Sequence, residues 1–212
     1  MQSPKPIRIL IVDDHFMVRM GLSASLNAEP DMETVAEVGS GEAAVDAYRE
    51  HNPDVVIMDL RLPAMSGIEA TKIMLREFPG AYILMLSTHG GEEGIYRALE
   101  AGARGYVLKS VVREELLRAI RTIHGGARYI DSVAAQYLAE RTAHPTLTPR
   151  ELEVLQLIVK GCSNKEIANH LNVAEVTIKL HVTHLLEKMG ASDRTQAATL
   201  AIQRGIVVGI DF

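Results

Sequence analysis

The sequence predicts an α/β domain followed by an all-α one, and three observations carry that expectation. Short apolar runs alternate five times with stretches of helical spacing over residues 1–125. After Pro145 no strand pattern returns until the C-terminal end, and the helical stretches there begin with recognisable start signals. Between the two textures lie a Gly125-Gly126 pair, which ends a helix, and His144-Pro145, which stops another.

In the first half the apolar runs at 7–12, 34–38, 55–58, 82–86 and 106–108 are nearly continuous, as in parallel strands covered on both faces. Helical spacing occupies 17–28, 43–51, 68–78, 92–101 and 114–124. Strand followed by helix, five times over, implies a parallel sheet wound on both sides, with function gathered beyond the carboxyl ends of the strands. Gly90-Gly91 and Gly94 loosen the start of the fourth helix. Residues 126–146 read as a linker with a short helix near 133–141. In the second half, helices are expected at 149–160, 164–171, 175–189 and 194–204. Thr148-Pro149-Arg150-Glu151 and Ser163-Asn164-Lys165-Glu166 are capping boxes, and Gly161 and Gly190 stand where helices stop. The domains are therefore 6–125 and 147–212.

The chain has 212 residues and a net charge of −5. Residues 1–125 hold 13 Lys/Arg against 18 Asp/Glu, whereas residues 146–212 hold 7 of each sign. The acidic half is excluded as a nucleic-acid surface; the neutral half can be one if its cations share a face. Cys162 stands alone, so neither an intrachain disulfide nor a cysteine zinc site is available. With no membrane-length apolar run and no signal-peptide pattern at Met1–Pro6, the expected location is the cytoplasm, away from membranes.

Chemistry gathers at the strand ends. Asp13 and Asp14 follow the first strand, Asp59 ends the third, Ser87 and Thr88 end the fourth, and Lys109 follows the fifth. Any one of these alone is an ordinary turn residue; their placement on one sheet edge implies a common crevice. Carboxylates crowded together need a counter-charge, and oxygen ligands suit Mg²⁺. A carboxylate beside Mg²⁺ can attack phosphorus and become an aspartyl phosphate, with Lys109 and Ser87 on the phosphoryl oxygens. A dinucleotide fingerprint is imitated by Gly39-Ser-Gly-Glu-Ala-Ala44, but it follows the second strand, and Glu42 would repel a pyrophosphate. An aspartyl-nucleophile phosphatase would need a carboxylate where Arg61 stands, so the chain is not expected to be an enzyme beyond its own phosphorylation and dephosphorylation.

The stretches Ile9-Leu-Ile-Val-Asp-Asp-His15, Val55-Val-Ile-Met-Asp-Leu-Arg-Leu-Pro-Ala-Met-Ser-Gly67, Leu84-Met-Leu-Ser87 and Gly105-Tyr-Val-Leu-Lys109 resemble the receiver domain of two-component response regulators. The resemblance implies a flavodoxin-like doubly wound fold and a sensor histidine kinase that phosphorylates Asp59. It also implies that Mg²⁺ is held by Asp14, Asp59 and the backbone carbonyl of Arg61, with Asp13 acting from behind these ligands. Ser87 and Lys109 would contact the phosphate, and Tyr106 would turn inward as a switch. Many receivers have a cis proline after the lysine; here Ser110 follows.

In the second half, a short Asn172-Val173-Ala174 turn joins two helices as in a helix-turn-helix. Ile178, Val182, Leu185, Leu186 and Met189 form one apolar stripe on the second of them, leaving Thr177, Lys179, Leu180, Thr183, His184 and Lys188 on the other side. Leu147-Thr-Pro-Arg-Glu-Leu-Glu-Val-Leu155, Gly161-Cys-Ser-Asn-Lys-Glu-Ile-Ala168 and Val176-Thr-Ile-Lys-Leu-His-Val182 resemble the LuxR-type helix-turn-helix, which with a receiver characterises the NarL/FixJ family. That resemblance implies transcription regulation through paired DNA half-sites, a homodimer when phosphorylated, and RNA polymerase as a further partner. By position, Lys179, Leu180 and Thr183 would reach bases, and Lys165 and Thr177 phosphates. Ala174 stands where the family commonly has a capping Ser, and Thr183 where a basic residue or Ser is frequent. Ala197, Ala198, Ala201 and Ile202 suit a dimer contact or the core equally. His181 and His184 lack companions for a metal site. The alternative to a phosphorylation switch is a receiver serving as an interaction module, with DNA binding independent of phosphate.

Overall fold

The computed structural model describes residues 5–88, 91–142 and 147–207. Its first half alternates β1 (Ile7–Val12), α1 (Phe16–Asn27), β2 (Met32–Val38), α2 (Gly41–His51), β3 (Val55–Asp59), α3 (Gly67–Glu77), β4 (Ile83–Ser87), α4 (Glu92–Glu100), β5 (Gly105–Leu108) and α5 (Arg113–His124). The strands run parallel in the order β2-β1-β3-β4-β5, extended by β6 (Tyr129–Ile130). Every residue of β3, β4 and β5 is buried, because helices cover both faces of a parallel sheet. On one face Ile9, Ile11, Ile57, Leu84 and Val107 pack with Leu26 of α1 and Leu117, Ile120 and Ile123 of α5. Each such side chain contributes roughly 1.5–3 kcal/mol by burial.

Element starts follow their caps. Ser40 accepts from the Ala43 amide to open α2, and Ser66 forms a reciprocal box with Glu69 to open α3. Helix α4 begins beyond Gly90, which lies outside the described residues. All described peptide bonds, including Lys109–Ser110, are trans.

The stretch expected to be a linker holds its short helix near 133–141, but a strand precedes it. Tyr129–Ile130 pairs in parallel with Gly105–Tyr106 as a sixth strand, so the sheet outlasts the glycine pair at 125–126. Buried Asp131 explains the ordering: one carboxylate oxygen accepts from the Leu108 amide at 2.8 Å, and the other accepts from the Ala134 amide at 2.8 Å. The same side chain thus ties β5 to the first turn of α6 (Ser132–Thr142). A strand of two residues is too short for alternation to reveal it. The chain divides into two compact units, with the boundary within α6 between Ala135 and Gln136 and with Gly91–Gly94 grouped with the second. His144-Pro145 lies outside the described residues.

The second unit contains α7 (Pro149–Val159), α8 (Asn164–Leu171), α9 (Glu175–Met189) and α10 (Arg194–Gln203). Both capping boxes form, at Thr148 with Glu151 and at Ser163 with Glu166. Asn172 and Gly190 adopt the left-handed conformation that ends α8 and α9. Val154, Leu155, Ile158, Ile167, Ile178, Leu185 and Met189 form the core. Ala197 and Ala201, which suited a dimer contact or the core equally, are fully buried in it and are core residues; Ile202 is exposed. No helix among the described residues is long and apolar enough to cross a membrane.

Candidate functional site

The carboxyl ends of β1, β3, β4 and β5 deliver their polar residues to one place. Asp13 and Asp59 are almost fully buried, and Lys109 reaches between them, with Nζ 2.6 Å from an oxygen of each. The Lys109 amide donates to the Ser87 carbonyl oxygen at 2.7 Å, which sets the lysine beside the β4 terminus. Asp59 Oδ1 accepts from the Arg61 amide at 3.1 Å. Gly67 is required here: a Cβ at that position would overlap the Asp59 carbonyl oxygen, so only glycine lets α3 start this close to β3.

Electrostatics sets Asp59 apart. Burial pushes its carboxyl above the ordinary carboxylate value, and the negative Asp13 adds to this, against the hydrogen bonds from Lys109 and the Arg61 amide. Burial also opposes the charge on Lys109, but Asp13 and Asp59 outweigh it and hold the amine above its usual value. Ligand atoms of Asp13, Asp14, His15 and Asp59 lie within 4.8 Å of one another. Three carboxylates with one lysine leave surplus negative charge, and hard oxygen donors at this spacing fit a divalent cation such as Mg²⁺. His15 escaped the sequence reading, although it completes the Asp13-Asp14-His15 run; its Nδ1 lies 2.8 Å from Asp14 Oδ1.

Tyr106 is fully buried. Burial drives its phenol up to about 12, while a hydrogen bond involving Ser87 works in the opposite direction. The ring expected to turn inward is therefore already inside, linked to the hydroxyl expected to meet phosphate. Ser87 is itself buried.

The second unit offers an exposed helix face. On α9, Lys179, Leu180, Thr183 and His184 are exposed and Thr177 is half-buried; Lys165 is exposed near the start of α8. Lys179 pairs with Glu175 at 3.1 Å, and Thr183 Oγ1 donates to the Lys179 carbonyl oxygen at 3.1 Å. A surface pair of this kind is worth only about 0.3–0.5 kcal/mol, so Lys179 can be withdrawn to another anion. Lys188 does not join this face as the spacing suggested: its Nζ lies 2.8 Å from Glu151 of α7. Ala174 offers no side-chain cap to α9. Most other cations of the unit are also committed internally, with Arg150 on Glu153 and the Leu171 carbonyl, Arg194 on the Cys162 carbonyl, and Arg204 on the Met189 carbonyl. Among the described residues from Thr148 onward, Lys160 and Lys165, with Lys179 once it leaves Glu175, remain for an external polyanion.

Comparison with known proteins matches both halves. Residues 9–121 fit the response regulator receiver domain, and residues 145–201 the luxR family of bacterial regulatory proteins. The chain is 41% identical over 209 residues to the transcriptional regulatory protein LiaR of Bacillus subtilis, covering 95% of this chain and 99% of that one. It is 36% identical over 206 residues to the response regulator VraR of Staphylococcus aureus, with 95% and 99% covered. Among solved structures it is similar to RcsB of Salmonella enterica serovar Typhimurium bound to promoter DNA in the presence of a phosphomimetic. There the TM-score is 0.74 at 25% identity, over 92% of this chain and 98% of that one.

Proposed function

This chain belongs to the response regulators that carry a LuxR-type DNA-binding domain, and from that premise we propose that Asp59 is its phosphoacceptor and that phosphorylation governs DNA binding by α9. The observation carrying this reading is the convergence of Asp13, Asp59 and Lys109 within 2.6 Å contacts at the strand ends. A receiver over 6–125, a connector over 126–146 that includes β6, and a DNA-binding domain over 147–212 are the working parts.

A carboxylate oxygen of Asp59 attacks phosphorus of a phosphohistidine on the kinase. The new O–P bond forms as the P–N bond breaks, and the donor imidazole leaves with the bond's electron pair. Asp14, Asp59 and the Arg61 carbonyl, with Asp13 behind them, would hold Mg²⁺, which would supply charge neutralisation for the phosphoryl oxygens. Lys109 exchanges its Asp59 contact for one of those oxygens, and Ser87 hydrogen-bonds to another. Ser87 is already linked to Tyr106, so engaging its hydroxyl changes how the tyrosine is held. Phe16, Met17 and Met20 are exposed on α1, directly after the acidic run. An apolar patch there suits a protein partner presenting the phosphohistidine.

The outcome is a dimer on paired half-sites, with RNA polymerase as a downstream partner and the cytoplasm as the setting. Band-shift titrations with and without a small-molecule phosphodonor test the reading. Tighter binding with the donor, abolished in Asp59→Asn, is expected. Equal affinity in both conditions would favour a phosphate-independent interaction module instead.

A further inference from the structure

We propose that Val176 is a specificity-determining residue of the DNA interface, reading a thymine 5-methyl group beside Leu180; this rests on α9 being the DNA-contacting helix. Among the described residues from Thr148 onward, the exposed large apolar side chains are Val176, Leu180 and Ile202. Two of these three lie one turn apart on a single helix, Val176 65% exposed and Leu180 58%. At 3.6 residues per turn they point away from the buried Ile178, Leu185 and Met189 and share their side with exposed Lys179 and Thr183. A helix face that had only to meet water would be polar there.

The major groove gives such a pair a partner. The thymine methyl is the apolar group among the features that base edges present, and apolar side chains read it. Val176 is the second residue of α9, in the N-terminal turn that recognition helices turn toward base edges. Its branched Cβ leaves one strongly preferred rotamer in a helix, so its methyls are held in place with little entropy left to lose. One helical turn rises about 5.4 Å and one base-pair step about 3.4 Å, which puts the two contacted thymines roughly one to two steps apart. Lys179, between them in sequence, would reach a base or phosphate alongside.

The test begins with duplexes that the full-length chain recovers from a random DNA pool. Each is rebuilt with deoxyuridine replacing thymidine one position at a time, which deletes a methyl and leaves the hydrogen-bonding edge intact. For the wild type, one such exchange should weaken binding about fourfold, the loss of one buried methyl. Val176→Ala should lose its sensitivity at that position alone, keep it at the thymine that Leu180→Ala desensitises, and regain it as Val176→Ile. Indifference of the wild type to every exchange, enriched sites without thymine, or unchanged discrimination in Val176→Ala would overturn the inference. If the pool yields no sequence preference at all, the DNA-binding reading of α9 falls, and the inference with it.

Discussion

Each half of the molecule holds a lysine against a buried carboxylate, and the two pairs do opposite things. In the second unit Glu151 takes part in the Thr148 capping box and accepts Lys188 at 2.8 Å. Burial works against its charge, but those hydrogen bonds win and hold its carboxyl below the ordinary value. In the first unit Lys109 serves two aspartates at once, and Asp59 is left above its ordinary value. A satisfied pair is a structural brace; a carboxylate short of positive charge is poised for an incoming cation and an electrophile. Burial opposes the charge in both; at Glu151 the hydrogen bonds outweigh it, and at Asp59 they do not.

Removing each lysine or its partner sharpens the contrast. Lys109→Ala should cut the rate of phosphoryl incorporation at Asp59 by about 10²-fold or more, as loss of one donor to a developing anionic charge does. A rate within threefold of wild type would show that the amine is not used in the transfer. On the DNA side, Lys179→Ala should weaken binding by roughly 1–3 kcal/mol if it reads a base. Among the described residues from Thr148 onward, Lys160 and Lys165 are unpaired and Lys179 has only its weak surface pair with Glu175, so the log–log salt slope should be no steeper than about −3 per protomer. A much steeper slope would mean that the internal pairs of Arg150, Lys188, Arg194 or Arg204 open on DNA.

Glu151→Ala should cost the second unit about 1–2 kcal/mol, through the broken cap and the stranded Lys188, without touching phosphorylation. Its pH signature has a definite sign. The folded carboxyl is depressed, so its stabilisation is complete above the ordinary glutamate pKa and fades as pH falls through the folded value. Thermal melts between neutral and acid pH should therefore converge for wild type and Glu151→Ala. A gap that stayed constant into acid would assign the loss to packing. Smallest is Ala174→Ser, which supplies the missing cap of α9 and should raise stability by about 1 kcal/mol; an unchanged melting temperature would show the α9 N-terminus already satisfied.

The two halves were also legible for different reasons. In the first, the parallel sheet follows from the βα repeat, and the strand-end rule then names Asp13, Asp59, Ser87 and Lys109 although they lie far apart in sequence. In the second, one helical period separates the buried Ile178, Leu185 and Met189 from the exposed Lys179, Leu180 and Thr183. What stayed hidden needed neighbours from elsewhere in the chain. One oxygen of Asp131 accepts from the Ala134 amide at the start of α6, and the other reaches the Leu108 amide across the sheet. Lys188 sits on the polar side of α9 by period, yet Glu151 of α7 draws it in. The alanines of α10 fitted a dimer face or a core, and only packing placed Ala197 and Ala201 inside.

Intact-mass measurement of the full-length chain, incubated with a small-molecule phosphodonor with and without Mg²⁺, addresses the acidic pocket most directly. A gain of one phosphoryl group that requires Mg²⁺ and vanishes in Asp59→Asn is the predicted result. The same gain in Asp59→Asn, or none in the wild type under any divalent-ion condition, would contradict it.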